Sequence, residues 1–292
     1  NKMKKIFIVF FLTISVVSEA QWVQVWFPLE MVISLTANSN AVFAGTQLGG
    51  VYKTTNMGIN WNQTHKPFAY AGALTVNGNY IYTGAAPGGL FYTTNEGTNW
   101  IQSSLNDHVP WAIASNGNYV FAGTNAGVYI SADYGVNWAQ TSLNNQMIFS
   151  LLIIGNNIYA GTESNGVFLS ANNGTNWTQT SFNNKTVLSL AFLDNNIFAG
   201  TDNSGVYIST NNGTSWNQTS LIDKSIISLQ GFQPYIFAGS IYDFFVSTDN
   251  GATWISRNEN LYGFISSLTI SNGYIFAAAE DFTVYKRPLN EL

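Results

Sequence analysis

Apolar and polar positions alternate in short runs along this chain, and turn residues separate the runs. Ser150–Ile154, Asn157–Gly161, Val167–Ser170 and Trp177–Thr180 each read as a strand. Between them lie Gly155-Asn156, Asn165-Gly166 and Asn172-Asn173-Gly174, which is turn chemistry. Four short antiparallel strands are therefore predicted within one stretch of about 40 residues, the size of one blade of a β-propeller.

The same pattern recurs. An eight-residue box appears as TTNMGINW, TTNEGTNW, SADYGVNW, SANNGTNW, STNNGTSW and STDNGATW. Its tryptophans fall at 61, 100, 138, 177, 216 and 254, spaced 39, 38, 39, 39 and 38. A second motif keeps that beat seven times, from FAGT at 43–46 through YTGA, FAGT, YAGT, FAGT and FAGS to FAAA at 276–279. A third is Trp-x-Gln after five of the boxes; the sixth reads Trp254-Ile255-Ser256. The seventh repeat ends in Lys286-Arg287-Pro288 without a box or a closing Trp strand, whereas Gln21–Gln24 is a Trp-x-Gln strand with no repeat before it. Trp22 to Trp61 is again 39. The expectation is a single all-β domain over 21–292, a seven-bladed propeller of four-stranded antiparallel blades whose N-terminal strand completes the last blade.

Composition narrows the class. Aromatics at 15% are too many for a disordered chain, and the Gly and Asn content is too high for a helical one. A net charge of −5 with only 9% charged residues argues against nucleic acid, which needs clustered Lys and Arg. Cysteine is absent, so core packing has to stabilise the fold without disulfides. Lys2, Lys4 and Lys5 precede the apolar run Ile6–Val17, and Ser18-Glu19-Ala20 supplies a cleavage point. Residues 1–20 are expected to be a secretory signal peptide, giving a secreted or cell-surface protein with no membrane span after cleavage. A monomer is expected.

The box S/T-x-D/N-x-G-x-x-W resembles the Asp-box, or bacterial neuraminidase repeat, of sialidases, sortilin-type receptors, xyloglucanases and photosystem II assembly-factor-like propellers. The ending Arg287–Leu292 resembles the close of secreted Asp-box propellers of Bacteroidota. The resemblance implies a propeller with structural boxes on the face away from the ligand. On this reading Asn56, Asn95, Asp133, Asn172, Asn211 and Asp249 accept turn N–H groups. Gly58, Gly97, Gly135, Gly174, Gly213 and Gly251 supply positive φ, and Trp61, Trp100, Trp138, Trp177, Trp216 and Trp254 bury their rings.

In such propellers the loops from strand four to the next blade, and from strand two to strand three, form the ligand face. A sialidase fixes its anionic sugar with three arginines; here Arg257 and Arg287 are the only two, so that activity is excluded. A xyloglucanase-like glycoside hydrolase needs two carboxylates, roughly 5–5.5 Å apart for retention or 6.5–9.5 Å for inversion. Loop candidates are Asp107, Glu163, Asp202, Asp223, Asp243, Glu259, Glu280 and Asp281, with no pair singled out by a motif. His65 and His108 with Asp107 form a weak metal motif, and neither a metal nor a cofactor is expected. The assembly-factor propellers use an arginine-rich patch; the loop cations here are Lys66, Lys185, Lys224 and Arg257, scattered over blades. Aromatics Phe68, Tyr70, Trp111, Phe149, Tyr242, Tyr262 and Phe264 fall in the loops. Tyr70, Tyr242 and Tyr262 are expected at the ligand face, with Trp111, Phe149 and Phe264 packing between blades. The candidate ligand-face set is Tyr70, Trp111, Glu163, Asp202, Tyr242, Asp243, Tyr262 and Glu280, and no catalytic residue is assigned. A non-catalytic binding or scaffolding module for a polysaccharide or protein is expected, with the hydrolase as the alternative.

Overall fold

The structure is a computed structural model and describes residues 21–25, 28–279 and 282–292. The expected leader, Glu280 and Asp281 lie outside the described residues.

Seven four-stranded antiparallel sheets follow one another along the chain, each ordered from its first strand outward. Blade 4 is typical, with strands Ile148–Ile154, Asn157–Thr162, Val167–Ser170 and Thr178–Gln179. The fourth strand is shorter than the predicted Trp177–Thr180 because Trp177 still belongs to the turn before it. Neighbouring first strands touch around the whole ring, including Ile265–Ser271 of blade 7 against Val32–Ala37 of blade 1. Among the described residues no helix is long and apolar enough to cross a membrane.

Blade 7 is assembled from both ends of the chain. Val23–Val25 pairs antiparallel with Thr283–Pro288, placing Gln24 opposite Tyr285. Trp22, 2% exposed, packs edge-on against Phe244 of blade 6 at 4.8 Å and donates its indole N–H to the carbonyl of Arg257 at 2.7 Å. Where the other blades carry a box, blade 7 has a short 3-10 turn, Leu289–Glu291. Beside it, buried Arg287 pairs with Glu259 at 2.7 Å and donates to the carbonyl of Glu291.

The core follows from the repeated [FY]-x-[GA] strand. Phe43, Tyr82, Phe121, Tyr159, Phe198, Phe237 and Phe276 occupy equivalent places in the second strands, and all are fully buried between sheets. Burying each such ring stabilises the fold by about 1.5–3 kcal/mol relative to exposure. The glycine two residues on lets the next blade approach. A Cβ at Gly200 would stand 2.8 Å from Ile226 Cγ2 and 2.9 Å from its carbonyl oxygen.

Each box is one hydrogen-bonded turn. Ser131 Oγ donates to Asp133 Oδ1 at 2.7 Å and accepts the N–H of Gly135 at 2.8 Å, while Asp133 accepts the N–H of Asn137 at 2.9 Å. The other five boxes repeat this arrangement, with Asn56, Asn95, Asn172, Asn211 and Asp249 accepting in the same way. Gly135 has φ of +86°, and a Cβ there would meet the Tyr82 ring of the preceding blade at 2.8 Å. The residue before each box glycine is left-handed as well, including Met57 at φ 59° and Tyr134 at φ 59°.

The Gln of Trp-x-Gln ties the outermost strand inward. Gln63, Gln102, Gln140, Gln179 and Gln218 each donate to a carbonyl 14 residues earlier, in the loop between strands two and three.

Candidate binding site at the channel mouth

The first strands ring a central channel, and each uses only one of its edges for pairing within its own sheet. In six blades the pairing register slips near the start of this strand, between Val32 and Ser34, Ala71 and Ala73, Ile148 and Ser150, Val187 and Ser189, Ile226 and Ser228, and Ile265 and Ser267. A bulge of this kind leaves one residue unpaired and re-aims its side chain. The skipped residues are Ile33, Gly72, Phe149, Leu188, Ile227 and Ser266, and all six line the channel. Trp111 takes the equivalent position in blade 3, just before the strand Ala112–Asn116, and also lines it. Deeper in, a ring of leucine and isoleucine continues the wall, for example Leu35, Leu74, Ile113 and Leu190. The cavity measures about 250 Å³.

Small residues stand between these two rings, each opposite the glycine (alanine in blade 7) of the second strand. They are Ser34, Ala73, Ala112, Ser150, Ser189, Ser228 and Ser267. Several staple one blade to the next. Ser189 donates to the carbonyl of Ile226 at 3.1 Å, Ser228 to that of Ile265 at 3.2 Å, and Ser267 accepts the N–H of Leu35 at 2.9 Å. Ser266 adds a bond to the carbonyl of Val32 at 2.8 Å.

The channel wall is uneven. On blades 3 and 4 it is aromatic: Trp111 is 48% exposed and meets Phe149 edge-on at 6.4 Å. Tyr70 folds over Gly72, so that a Cβ at position 72 would stand 2.5 Å from the tyrosine ring. Burial pushes the Tyr70 hydroxyl above its ordinary pKa. On the remaining blades the mouth is aliphatic or small.

The expectation for three of the aromatics, Trp111, Phe149 and Phe68, is therefore corrected. Trp111 and Phe149 do not pack between blades, because the strand start turns both toward the channel. Phe68 does not ring the mouth; it is buried against Phe91 at 4.9 Å and Trp100 at 5.5 Å. Tyr242 and Tyr262, 78% and 65% exposed, stand on loops and do not line the channel.

None of the described loop carboxylates lines the channel. Glu163 is exposed, and its carbonyl accepts the hydroxyl of Thr186. Asp202 accepts from Ser225 at 2.6 Å. Asp243 is held by Lys224 at 2.8 Å and by the amide of Asn258 at 2.8 Å. Burial pushes Glu259 upward, but its own backbone N–H, the hydrogen bond from Arg287 and the charges of Arg287 and Arg257 outweigh this and leave it below the ordinary range. His108 lies 3.8 Å from Asp107, with its ring tilted against that of Tyr129 at 5.2 Å. Among the described residues no three His, Asp or Glu side chains gather as a metal site.

A sequence signal for the channel existed. The triplet x-Ser-Leu recurs at 33–35, 149–151, 188–190, 227–229 and 266–268 on the same beat as the boxes, and its first residue is the one aimed inward.

No protein-family model matches the chain, and no curated protein sequence matches it. Solved structures share the fold. YCF48 from Cyanidioschyzon merolae superposes with a TM-score of 0.74 at 15% identity, covering 94% of this chain and 100% of that one. YCF48 has also been solved bound to D1 peptide, with a TM-score of 0.73 at 15% identity, covering 93% of this chain and 97% of that one. The extracellular domain of BT4673 from B. thetaiotaomicron gives 0.77 at 16% identity, covering 92% of this chain and 40% of that one. The GH74 xyloglucanase of Xanthomonas campestris gives 0.75 at 14%, covering 94% and 54%. These likenesses establish a β-propeller and carry nothing finer at such identity.

Proposed function

We propose that this chain is an Asp-box propeller acting as a non-catalytic binding module, which receives a protein partner at the channel mouth. The observation that carries the reading is the aromatic pair of Trp111 and Phe149, which lines the channel on two consecutive blades, with Tyr70 of the preceding blade folded over Gly72 beside it. Aromatic side chains at a concave mouth supply contact area at low entropic cost. Asp202, Asp243 and Glu259 are engaged by neighbouring groups, which favours binding over a two-carboxylate hydrolysis. The peptide-bound YCF48 structure supports a protein partner by analogy of fold alone. We place the protein outside the cytoplasm on the strength of the leader-like residues 1–20.

The test is selection of peptides from a displayed library on immobilised residues 21–292, alongside a glycan array with product analysis by mass spectrometry. Peptides that bind the native chain and are lost on Trp111→Ala support the reading. Released oligosaccharide, abolished by Asp202→Ala or Asp243→Ala, would overturn it in favour of a glycoside hydrolase. Glycan retention without cleavage would make the partner a polysaccharide. Export is checked separately, by mass spectrometry of the N-terminus recovered from the natural source, with Gln21 expected first.

A further inference from the structure

We propose that Tyr80 and Tyr134 form an oxidative cross-linking site. Given a one-electron oxidant, a haem peroxidase fed by hydrogen peroxide, their rings couple into a dityrosine that ties blade 2 to blade 3.

Four tyrosines gather where the box of blade 3 meets the second and third strands of blade 2, Tyr80–Ala86 and Gly89–Thr93. The Tyr80 and Tyr134 rings stack with centroids 5.0 Å apart and planes 12° from parallel. Tyr82 stacks against Tyr80 at 5.8 Å, and Tyr92 tilts toward Tyr80 at 6.1 Å. The box position of Tyr134 holds Met57, Glu96, Asn173, Asn212 and Asn250 in the other blades, all with positive φ. Asn tolerates that left-handed conformation, whereas a bulky aromatic residue rarely adopts it. Tyr134, at φ 59°, holds this place against local preference, and its ring gains the contact with Tyr80 there.

Access, constraint and protonation select this pair. Tyr134 is 42% exposed, so an oxidant reaches it, whereas Tyr82 is fully buried. The backbone of Tyr134 is pinned: its N–H donates to the carbonyl of Asn118 at 3.0 Å, and its carbonyl accepts the Tyr82 hydroxyl at 3.1 Å. Two groups held in contact react without a bimolecular encounter. Before Tyr80, the exposed hairpin tip Gly78-Asn79 gives the room in which the rings close from contact to bond length. Burial, reinforced by neighbouring hydroxyls and for Tyr92 by Asp133, pushes the Tyr82 and Tyr92 hydroxyls upward. A phenol that keeps its proton is the harder one to oxidise, so these two are spectators.

The step balances. Each of the two phenols gives up one electron and its hydroxyl proton. The phenoxyl radicals join through one Cε carbon of each ring; the hydrogen on that carbon leaves as a proton, and the hydroxyl oxygen regains one. The chain loses two hydrogen atoms, and hydrogen peroxide takes up the two electrons and two protons to become two waters. Cysteine is absent from this chain, and a dityrosine would constrain its unfolded state as a disulfide does.

The experiment treats the full chain with a haem peroxidase and limiting hydrogen peroxide, isolates the monomer by size exclusion and digests it. The expected product is a Tyr80–Tyr134 peptide pair, lighter by two hydrogen atoms in tandem mass spectrometry and carrying the blue fluorescence of dityrosine. Tyr134→Phe keeps the ring, removes the hydroxyl and is expected to abolish both signals. If that variant fails to fold, Tyr134→Asn supplies the residue that three other boxes carry there and is expected to do the same. The double variant Tyr242→Phe, Tyr262→Phe removes two more exposed tyrosines and is expected to leave the yield unchanged. The inference is overturned if the oxidised monomer holds no dityrosine, if its dityrosine joins other tyrosines, or if the signals survive the change at Tyr134.

Discussion

Ser131 donates its hydroxyl hydrogen to Asp133 across 2.7 Å and with the same oxygen accepts the N–H of Gly135. One buried hydroxyl thus orients the acceptor of the box and fixes its left-handed glycine. Ser131→Ala leaves the buried N–H of Gly135 without that acceptor and is expected to destabilise the protein by about 1–3 kcal/mol. Asp133→Asn keeps the geometry already used by the four boxes that carry Asn, and is expected to change stability at neutral pH by less than about 0.5 kcal/mol. Urea unfolding of the two variants checks the contrast.

Acid should act on the boxes that carry aspartate. Asp133 is held at about 2 by the N–H and side-chain amide of Asn137 and by Ser131. Asp249 is lowered by the hydroxyl and N–H of Thr253 and by Ser247. Both are lower in the folded chain than in the unfolded one, where Asp titrates near 3.9. Their contribution is therefore complete above about pH 4 and is lost as pH falls toward about 2. The double variant Asp133→Asn, Asp249→Asn is expected to show a shallower fall in Tm over that window. An unchanged slope would mean that the acid transition belongs to other groups.

Close approach of blades makes a further prediction. A Cβ at Gly84 would collide with the carbonyl oxygen of Pro110, a backbone atom that cannot turn aside. Gly84→Ala is expected to cost at least the 1–3 kcal/mol typical of overpacking. Gly78, whose Cβ would meet nothing, has φ of +58° and is the control: Gly78→Asn is expected to cost much less. Thermal unfolding of both reads the difference.

The ring seam is the fourth case. Trp22→Ala removes a buried indole, its edge contact with Phe244 and its bond to Arg257, with an expected loss of about 3–5 kcal/mol. Glu259→Gln leaves Arg287, 2% exposed, without its carboxylate and is also expected to destabilise. The two sites touch the same loop, so the double variant should lose less than the sum. Denaturant midpoints of the single and double variants decide this.

The ring was legible because its cause is periodic. Trp22 stands 39 residues before Trp61, and that interval places a strand of blade 7 at the other end of the chain. The Phe-Ala-Gly strands were legible for the same reason, since ring burial and blade contact act on every repeat alike. The mouth was harder to read. Whether an aromatic at a strand start faces the channel or the core depends on a one-residue slip in pairing, and composition carries no trace of it. Phe68 and Phe149 look equivalent in the sequence, yet one is buried beneath Trp100 and the other faces the channel. The serine of x-Ser-Leu marks that slip, but its meaning needs the glycine opposite it.

Trp22 and Arg257 are 235 residues apart and meet only in the finished ring. During synthesis Val23–Val25 is made before the strands of blades 1 to 6 and its partner Thr283–Pro288 after them. Every intermediate length of chain must therefore exist as an open arc, with the edge of its latest blade unpartnered. Ring closure through this pairing therefore waits until Thr283–Pro288 has been made, after all the strands of blades 1 to 6.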